Sequence, residues 1–204
     1  MSVDGAPGPR RLRQDDRRRQ LIGLGLEILA TKPIHALSLD EVAARAGISR
    51  GLLFHYFPTK QDYYAAVVRA ASRRLLGAAQ ADPGVPAAEQ LGSIVAAYVR
   101  FIDRHLAAYT AFFRGGAGAD AQVQAIYDEV RDELTDRALA AYGAPTTPVH
   151  RMAVRGWWSL VENMAVDRAA DHTVTPDVLV TYVVGALPGL LTSASIIGEA
   201  RGSR

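Results

Sequence analysis

The sequence predicts an all-α protein, with a three-helix helix-turn-helix unit at its N-terminal end and a larger helical domain after it, about nine helices in total. Apolar residues recur at helical spacing along every long segment, and no alternating run is long enough to make a sheet. One stretch, residues 38–60 (SLDEVAARAGISRGLLFHYFPTK), carries the start and stop chemistry of two short helices about a glycine turn. The charge is also divided. Residues 1–74 hold 13 Lys and Arg against 7 Asp and Glu, whereas residues 75–204 hold 10 against 14.

Residues 1–12 read as a disordered basic leader, because MSVDGAPGP offers nothing to pack. Leu21, Leu24, Gly25, Ile28 and Leu29 then predict a first helix over 13–31, stopped by Lys32-Pro33. Arginines 10, 11, 13, 17, 18 and 19 suit either a solvated tail or a basic arm that reaches phosphates. Ser38 and Glu41 form a capping-box pattern for a second helix, whose Leu39, Val42, Ala43 and Ala46 share one face. Gly47 makes the left-handed stop and Ile48 pins the corner. Ser49 caps a third helix that buries Leu53, leaves Arg50, Gly51, Phe54 and His55 outside, and ends at Phe57-Pro58. Thr59 caps a fourth, with a stripe of Tyr64, Val67, Val68, Ala71 and Leu75, running to about Gln80 before a turn at 82–86.

Leu91, Ile94, Val95, Tyr98, Val99 and Ile102 mark a fifth helix, and Tyr109, Phe112 and Phe113 a short sixth before a glycine-rich connection at 115–120. Val123, Ile126, Tyr127, Val130 and Leu134 mark a seventh, with Asp128, Glu129, Asp132, Glu133 and Asp136 on its wet side. After a loop at 142–148, Val149, Met152, Gly156, Trp157, Leu160, Val161 and Met164 mark an eighth, and Thr175-Pro176 opens a ninth. From Val178 to Gly198 the ninth carries no charge, which meets the length of a membrane span. Polar residues such as Thr181, Thr192 and Ser193 interrupt it and no basic cluster flanks it. The favoured reading is therefore no membrane, but a homodimer in which helices near 149–170 and 176–198 of two chains form a four-helix bundle. Gly185 and Gly189 would allow close approach there, and Pro188 predicts a kink.

A short second helix left largely exposed is the design that enters the major groove of double-stranded DNA, and the basic half suits phosphate neutralisation. Arg50 is the candidate for base readout, since guanidinium pairs bidentately with guanine. Gly51 lets the backbone approach, and Phe54 presses a thymine methyl. His55 and Tyr56 reach phosphate or base edges; packing is an equal reading for Tyr56 and the preferred one for Phe57. Ser38, Ser49, Arg45 and Lys60 complete the rim, Lys60 in a helix first turn where an anion is favoured.

The order Ala43 to Ser49 (Ala-Ala-Arg-Ala-Gly-Ile-Ser), then His55-Tyr56-Phe57, then Thr59-Lys60 resembles the DNA-binding domain of TetR-family transcriptional repressors. By motif the resemblance covers roughly residues 14–70, and the rest agrees in length and helicity. It departs at Leu52, where the family often carries Thr or Ser, so that hydroxyl contact is not carried over. The resemblance implies a DNA-binding domain over 13–62, an effector-binding and dimerisation domain over 63–204, a palindromic operator, and release by a small-molecule effector; the alternatives are a ligand-independent or activating DNA-binding protein, and a helical-bundle small-molecule-binding protein or enzyme with a vestigial helix-turn-helix. Residues offered for the effector are Tyr98, Ile102, His105, Phe112, Phe113, Tyr127, Trp157 and Asn163, an apolar or aromatic set. Phe101, Tyr109, Trp158 and Glu162 stand beside them, and most such aromatics are core.

Composition excludes other classes. Without cysteine there is no disulfide and no thiolate chemistry. The charged first twenty residues lack an apolar signal segment, which predicts a cytoplasmic protein. Gly116, Gly118 and Ala121 fit a loose dinucleotide fingerprint, but a helix precedes them where a strand is required. The five histidines show no metal spacing. No catalytic residue, metal or cofactor is expected.

Overall fold

The structure, a computed structural model, describes residues 9–29, 38–110 and 121–202. Among them are eight helices and no strand: α1 (Pro9–Leu29), α2 (Leu39–Ala46), α3 (Arg50–Tyr56), α4 (Lys60–Ala78), α5 (Ala87–Tyr109), α6 (Ala121–Tyr142), α7 (Pro148–Asp171) and α8 (Pro176–Gly202). The chain is all-α, as its periodicity predicts. Lys32-Pro33, the glycine-rich connection, Phe112 and Phe113 lie outside the described residues, so the predicted seventh to ninth helices are α6 to α8.

α1 opens at Pro9 rather than near Arg13, so residues 9–12 belong to the helix and not to a leader. A proline is well suited to a first helical turn, where its missing N–H costs nothing. Leu21 and Ile28 are fully buried against α4. The buried tyrosine of α4 is Tyr63, not Tyr64, and its hydroxyl donates to the Leu21 carbonyl at 2.8 Å. Gly25 is the notch that admits it. A Cβ there would stand 2.5 Å from the Tyr63 hydroxyl and 2.6 Å from a Val67 methyl.

Two expectations gain detail in the C-terminal domain. α5 is interrupted at His105, whose backbone is not helical (φ −131°, ψ 25°), so the turn carrying Tyr109 is a separate helical segment beyond a kink, and the rest of the expected sixth helix, Phe112 and Phe113, lies outside the described residues. The acids of α6 lie on its wet side, their side chains 47–59% exposed, and they also make ion pairs. Asp128, Asp132 and Asp136 form a ladder with Arg151 and Arg155 of α7, and Glu129 pairs with Arg69 of α4 at 2.8 Å. In the last turn of α7, Arg168 is buried and ion-paired with Asp103 of α5.

α8 runs through Pro188 without a break. It buries Leu179, Val183, Leu187, Leu191 and Ala194, and points Val178, Tyr182, Leu190 and Ile196 outward. His150, at the start of α7, ties to this helix through the Ser195 hydroxyl at 3.1 Å while its other ring nitrogen meets Thr147 at 2.7 Å. By length and composition α8 is apolar enough to cross a membrane, but only 28% of its most apolar window is buried within one chain. Met152 and Leu160 of α7 are exposed as well, so the two helices share an open apolar surface.

Candidate nucleic-acid interface

Local chemistry builds the helix-turn-helix. Ser38 caps α2, its hydroxyl accepting from the Glu41 N–H at 3.5 Å. Gly47 stops α2 in the left-handed conformation (φ 65°), where a side chain would be strained. Ile48 then turns back, its N–H donating to the Ala43 carbonyl at 3.0 Å. Ser49 caps α3 through the Leu52 N–H at 3.2 Å. Thr59 and Asp62 form a reciprocal capping box at the start of α4.

The result is a recognition helix held by one inward side chain, Leu53, and by Phe57 beyond it. Phe57 stacks edge-on against Tyr63, and the Arg18 guanidinium lies 4.9 Å above its ring, so α1, α3 and α4 meet at one point. Arg50, Gly51, Leu52 and His55 are exposed. Phe54 is half-buried rather than free, and Tyr56 is half-buried against the core. Ser38, Arg45, Ser49 and Lys60 are exposed as well. Leu52 stands 40% exposed.

Both helix-turn-helix arginines are already paired. Arg45 contacts Glu41 at 3.0 Å one turn back on α2. Arg50 contacts both carboxylate oxygens of Asp40, at 3.1 and 3.2 Å, and lies 5.5 Å from the Phe54 ring. Exposed pairs of this kind stabilise a fold by only about 0–1 kcal/mol, so their interest is in orientation. Neither Asp40 nor Arg18 was marked by the motif. A carboxylate ten residues away in sequence becomes a neighbour only once the turn is folded.

The candidate effector residues divide. Tyr98 and Tyr127 line one small interior cavity with Tyr109, Trp158, Glu162, Arg131 and Leu75, about 10 Å³ of space and roughly enough for one water. The Tyr98 and Tyr109 hydroxyls share a 2.6 Å hydrogen bond, and the Tyr127 hydroxyl donates to Glu162 at 2.6 Å. Ile102 is core, and Trp157 points away, donating to the Val183 carbonyl of α8 at 2.7 Å. Asn163 is exposed and donates to its own helix. His105 is exposed because the bend at that residue breaks the register that would align it with Tyr98 and Ile102. Phe112 and Phe113 lie outside the described residues.

Burial keeps these phenols protonated. It raises Tyr98 and Tyr109 well above their usual value near 10, with the Glu162 charge adding to the effect on Tyr98. Tyr127 is pushed up to about 12, by burial first and by Glu162 next, and burial also raises Tyr63. The unfolded chain would lose these protons near pH 10 while the fold retains them. The stability they contribute is therefore present below pH 10 and lost as pH rises through the folded values. In an alkaline titration, ionisation of these four phenols, followed by absorbance, is expected to track loss of the helical circular-dichroism signal; ionisation of all eight tyrosines with helicity intact would contradict their burial.

Comparison with known proteins agrees with this architecture in both halves. Residues 21–67 match the family of bacterial regulatory proteins of the tetR family, and residues 87–188 match the tetracyclin repressor-like C-terminal domain. The HTH-type transcriptional activator FasR of Mycolicibacterium smegmatis is 30% identical over 180 residues, 80% of this chain and 82% of that protein. The HTH-type transcriptional repressor KstR of Rhodococcus jostii is 27% identical over 135 residues, 66% of this chain and 63% of that one. A crystal structure of a tetR-family regulator from Streptomyces coelicolor superposes over 100% of this chain and 87% of that one, with a TM-score of 0.78 and 28% identity. Two matched domains, a relative spanning four-fifths of the chain and a common fold make this protein a member of the TetR family of DNA-binding transcriptional regulators, and not an enzyme.

Proposed function

We propose that the chain is a cytoplasmic, homodimeric repressor that binds a palindromic operator and is released by a small apolar or aromatic effector. The observation that carries this reading is the open apolar face of α7 and α8 on the same chain as an exposed recognition helix. A reader of two half-sites about 34–36 Å apart needs two copies held rigidly, and that face is suited to join them. Gly185 and Gly189 have nothing within 4 Å of a Cβ position, leaving room for a second chain to approach. Replacing Tyr182, which is 60% exposed, by Asp is expected to yield monomers in sedimentation and to abolish tight operator binding. A dimer that survives this change would place the interface elsewhere.

The interior cluster supports effector control in a specific way. A cavity of about 10 Å³ admits no effector as it stands. Entry must displace Tyr98, Tyr127 or Trp158, and Leu75 brings α4 to the same cavity. A ligand bound there would favour a different position of α4, which is the differential affinity that release requires. Relatives bear both activator and repressor names, so a reporter driven from the operator, with and without the protein, decides the sign.

DNA binding itself is tested on the duplex flanking the protein's own gene, at two salt concentrations with competitor DNA. Arg50→Ala is expected to cost about 1–3 kcal/mol of specific binding and to relax base preference, whereas Lys60→Ala weakens all sequences alike and lowers the salt slope by about 1. Equal losses from both variants on every sequence would remove Arg50 from base readout.

A further inference from the structure

We propose that Asp40 is a specificity-determining residue that acts by positioning Arg50. The inference rests on the DNA-reading role given to Arg50 above and adds how that side chain is aimed. Arg50 opens α3, and its long side chain would otherwise sample many rotamers. Asp40 sits in the first turn of α2 on a short side chain anchored to a capped helix. Both its carboxylate oxygens engage one guanidinium nitrogen, Nη1, at 3.1 and 3.2 Å. The Phe54 ring, one turn along α3, limits the same group from a second side at 5.5 Å.

Held at Nη1, the guanidinium still presents Nε–H and Nη2–H as two parallel donors. That edge matches the O6 and N7 acceptors of guanine in the major groove. Neutralising part of the guanidinium charge has a further effect. It makes Arg50 less able to bind any phosphate it meets, and so turns a general cation into a base reader. A carboxylate on a surface that faces phosphates weakens binding to every sequence. That cost is recovered only on the sequence whose guanine the held arginine reaches.

The test is a double-mutant cycle with Asp40→Asn, Arg50→Ala and the double variant, each titrated against the operator and against a random duplex of equal length. Asp40→Asn keeps the shape and a hydrogen-bonding group, and thermal melts establish that each variant folds. Asp40→Asn is expected to lower the operator-to-random affinity ratio about three- to tenfold, a fraction of what one bidentate contact confers, with random binding equal or tighter. In the Arg50→Ala background the same change should leave the ratio where Arg50→Ala put it. If Asp40→Asn tightens both duplexes equally, Asp40 is only a repulsive charge and the proposal fails. If the ratio falls by the same factor with Arg50 absent, Asp40 contacts the base directly and the proposal fails in favour of that contact. A wild-type chain that prefers no duplex overturns the regulator reading together with this inference, a result that the variants cannot imitate.

Discussion

Trp157→Ala is expected to lower the unfolding free energy by about 3–5 kcal/mol, the range for removing a large aromatic from a packed interior. Trp157 is 1% exposed, its ring lies 4.9 Å from that of Trp158, and its indole N–H donates to the Val183 carbonyl. It fills the seam between α7 and α8 from within, while the outer surface of the same two helices stays open. The loss should appear as a lower denaturant midpoint with little change in slope. Trp157→Phe keeps an aromatic ring but removes the N–H together with the second ring of the indole, so it should cost an intermediate amount, about 1–3 kcal/mol. If Trp157→Ala costs no more than Trp157→Phe, the indole is not packed as described. A substantial loss in the alanine variant should also weaken self-association, since the outer face is only as well defined as the seam behind it.

Arg137→Ala is expected to cost about 2–4 kcal/mol, from losing charge-assisted hydrogen bonds and leaving helix-end carbonyls without partners. Arg137, on α6, donates from Nη1 to the Leu76 carbonyl and, at 2.8 Å, to that of Ala79, the last groups of α4. Its Nε is held in turn by Glu133 at 2.8 Å. A cation at a helix C-terminus also meets the negative end of the dipole. Arg137→Lys should recover only part of the loss, because an ammonium lacks the fork that reaches two carbonyls and a carboxylate together. The check is a pair of measurements on each variant, chemical denaturation and operator affinity. Unchanged stability in Arg137→Ala would show that α4 does not depend on α6 for its C-terminal end.

Much of the fold was legible because capping and turn chemistry is local. Ser38, Gly47, Ser49 and Thr59 do in the structure what their positions imply, since each answers to backbone groups three or four residues away. What the sequence misplaced was mostly rotation about a helix axis. Tyr64 falls in the expected stripe while Tyr63 is the buried one, and of the two tryptophans among the candidate aromatics Trp158, not Trp157, lines the cavity. Asn163 and Glu162 are both candidates to orient a ligand, and of the two Glu162 is the one inside. Adjacent residues differ by about 100° around a helix, so a stripe with aromatics on both flanks leaves the facing one undetermined until a neighbouring helix selects it. Asp40 and Arg137 were invisible for a different reason. Their partners, Arg50 and the end of α4, are brought near by a turn and by tertiary packing.

The notch at Gly25 has a mechanical consequence. With Tyr63 seated in it and hydrogen-bonded to Leu21, α1 and α4 engage like a tooth in a slot, and Phe57 fixes α3 to the same tooth. The reading head and α4 are thereby joined in one packed unit. A helix of 19 residues is about 28 Å long, so a tilt of 10° about one end sweeps the other through roughly 5 Å. Two copies turning in opposite senses would double that, against a half-site separation of about 34–36 Å. In the proposed dimer, a tilt of that size would carry the two heads out of phase with the groove.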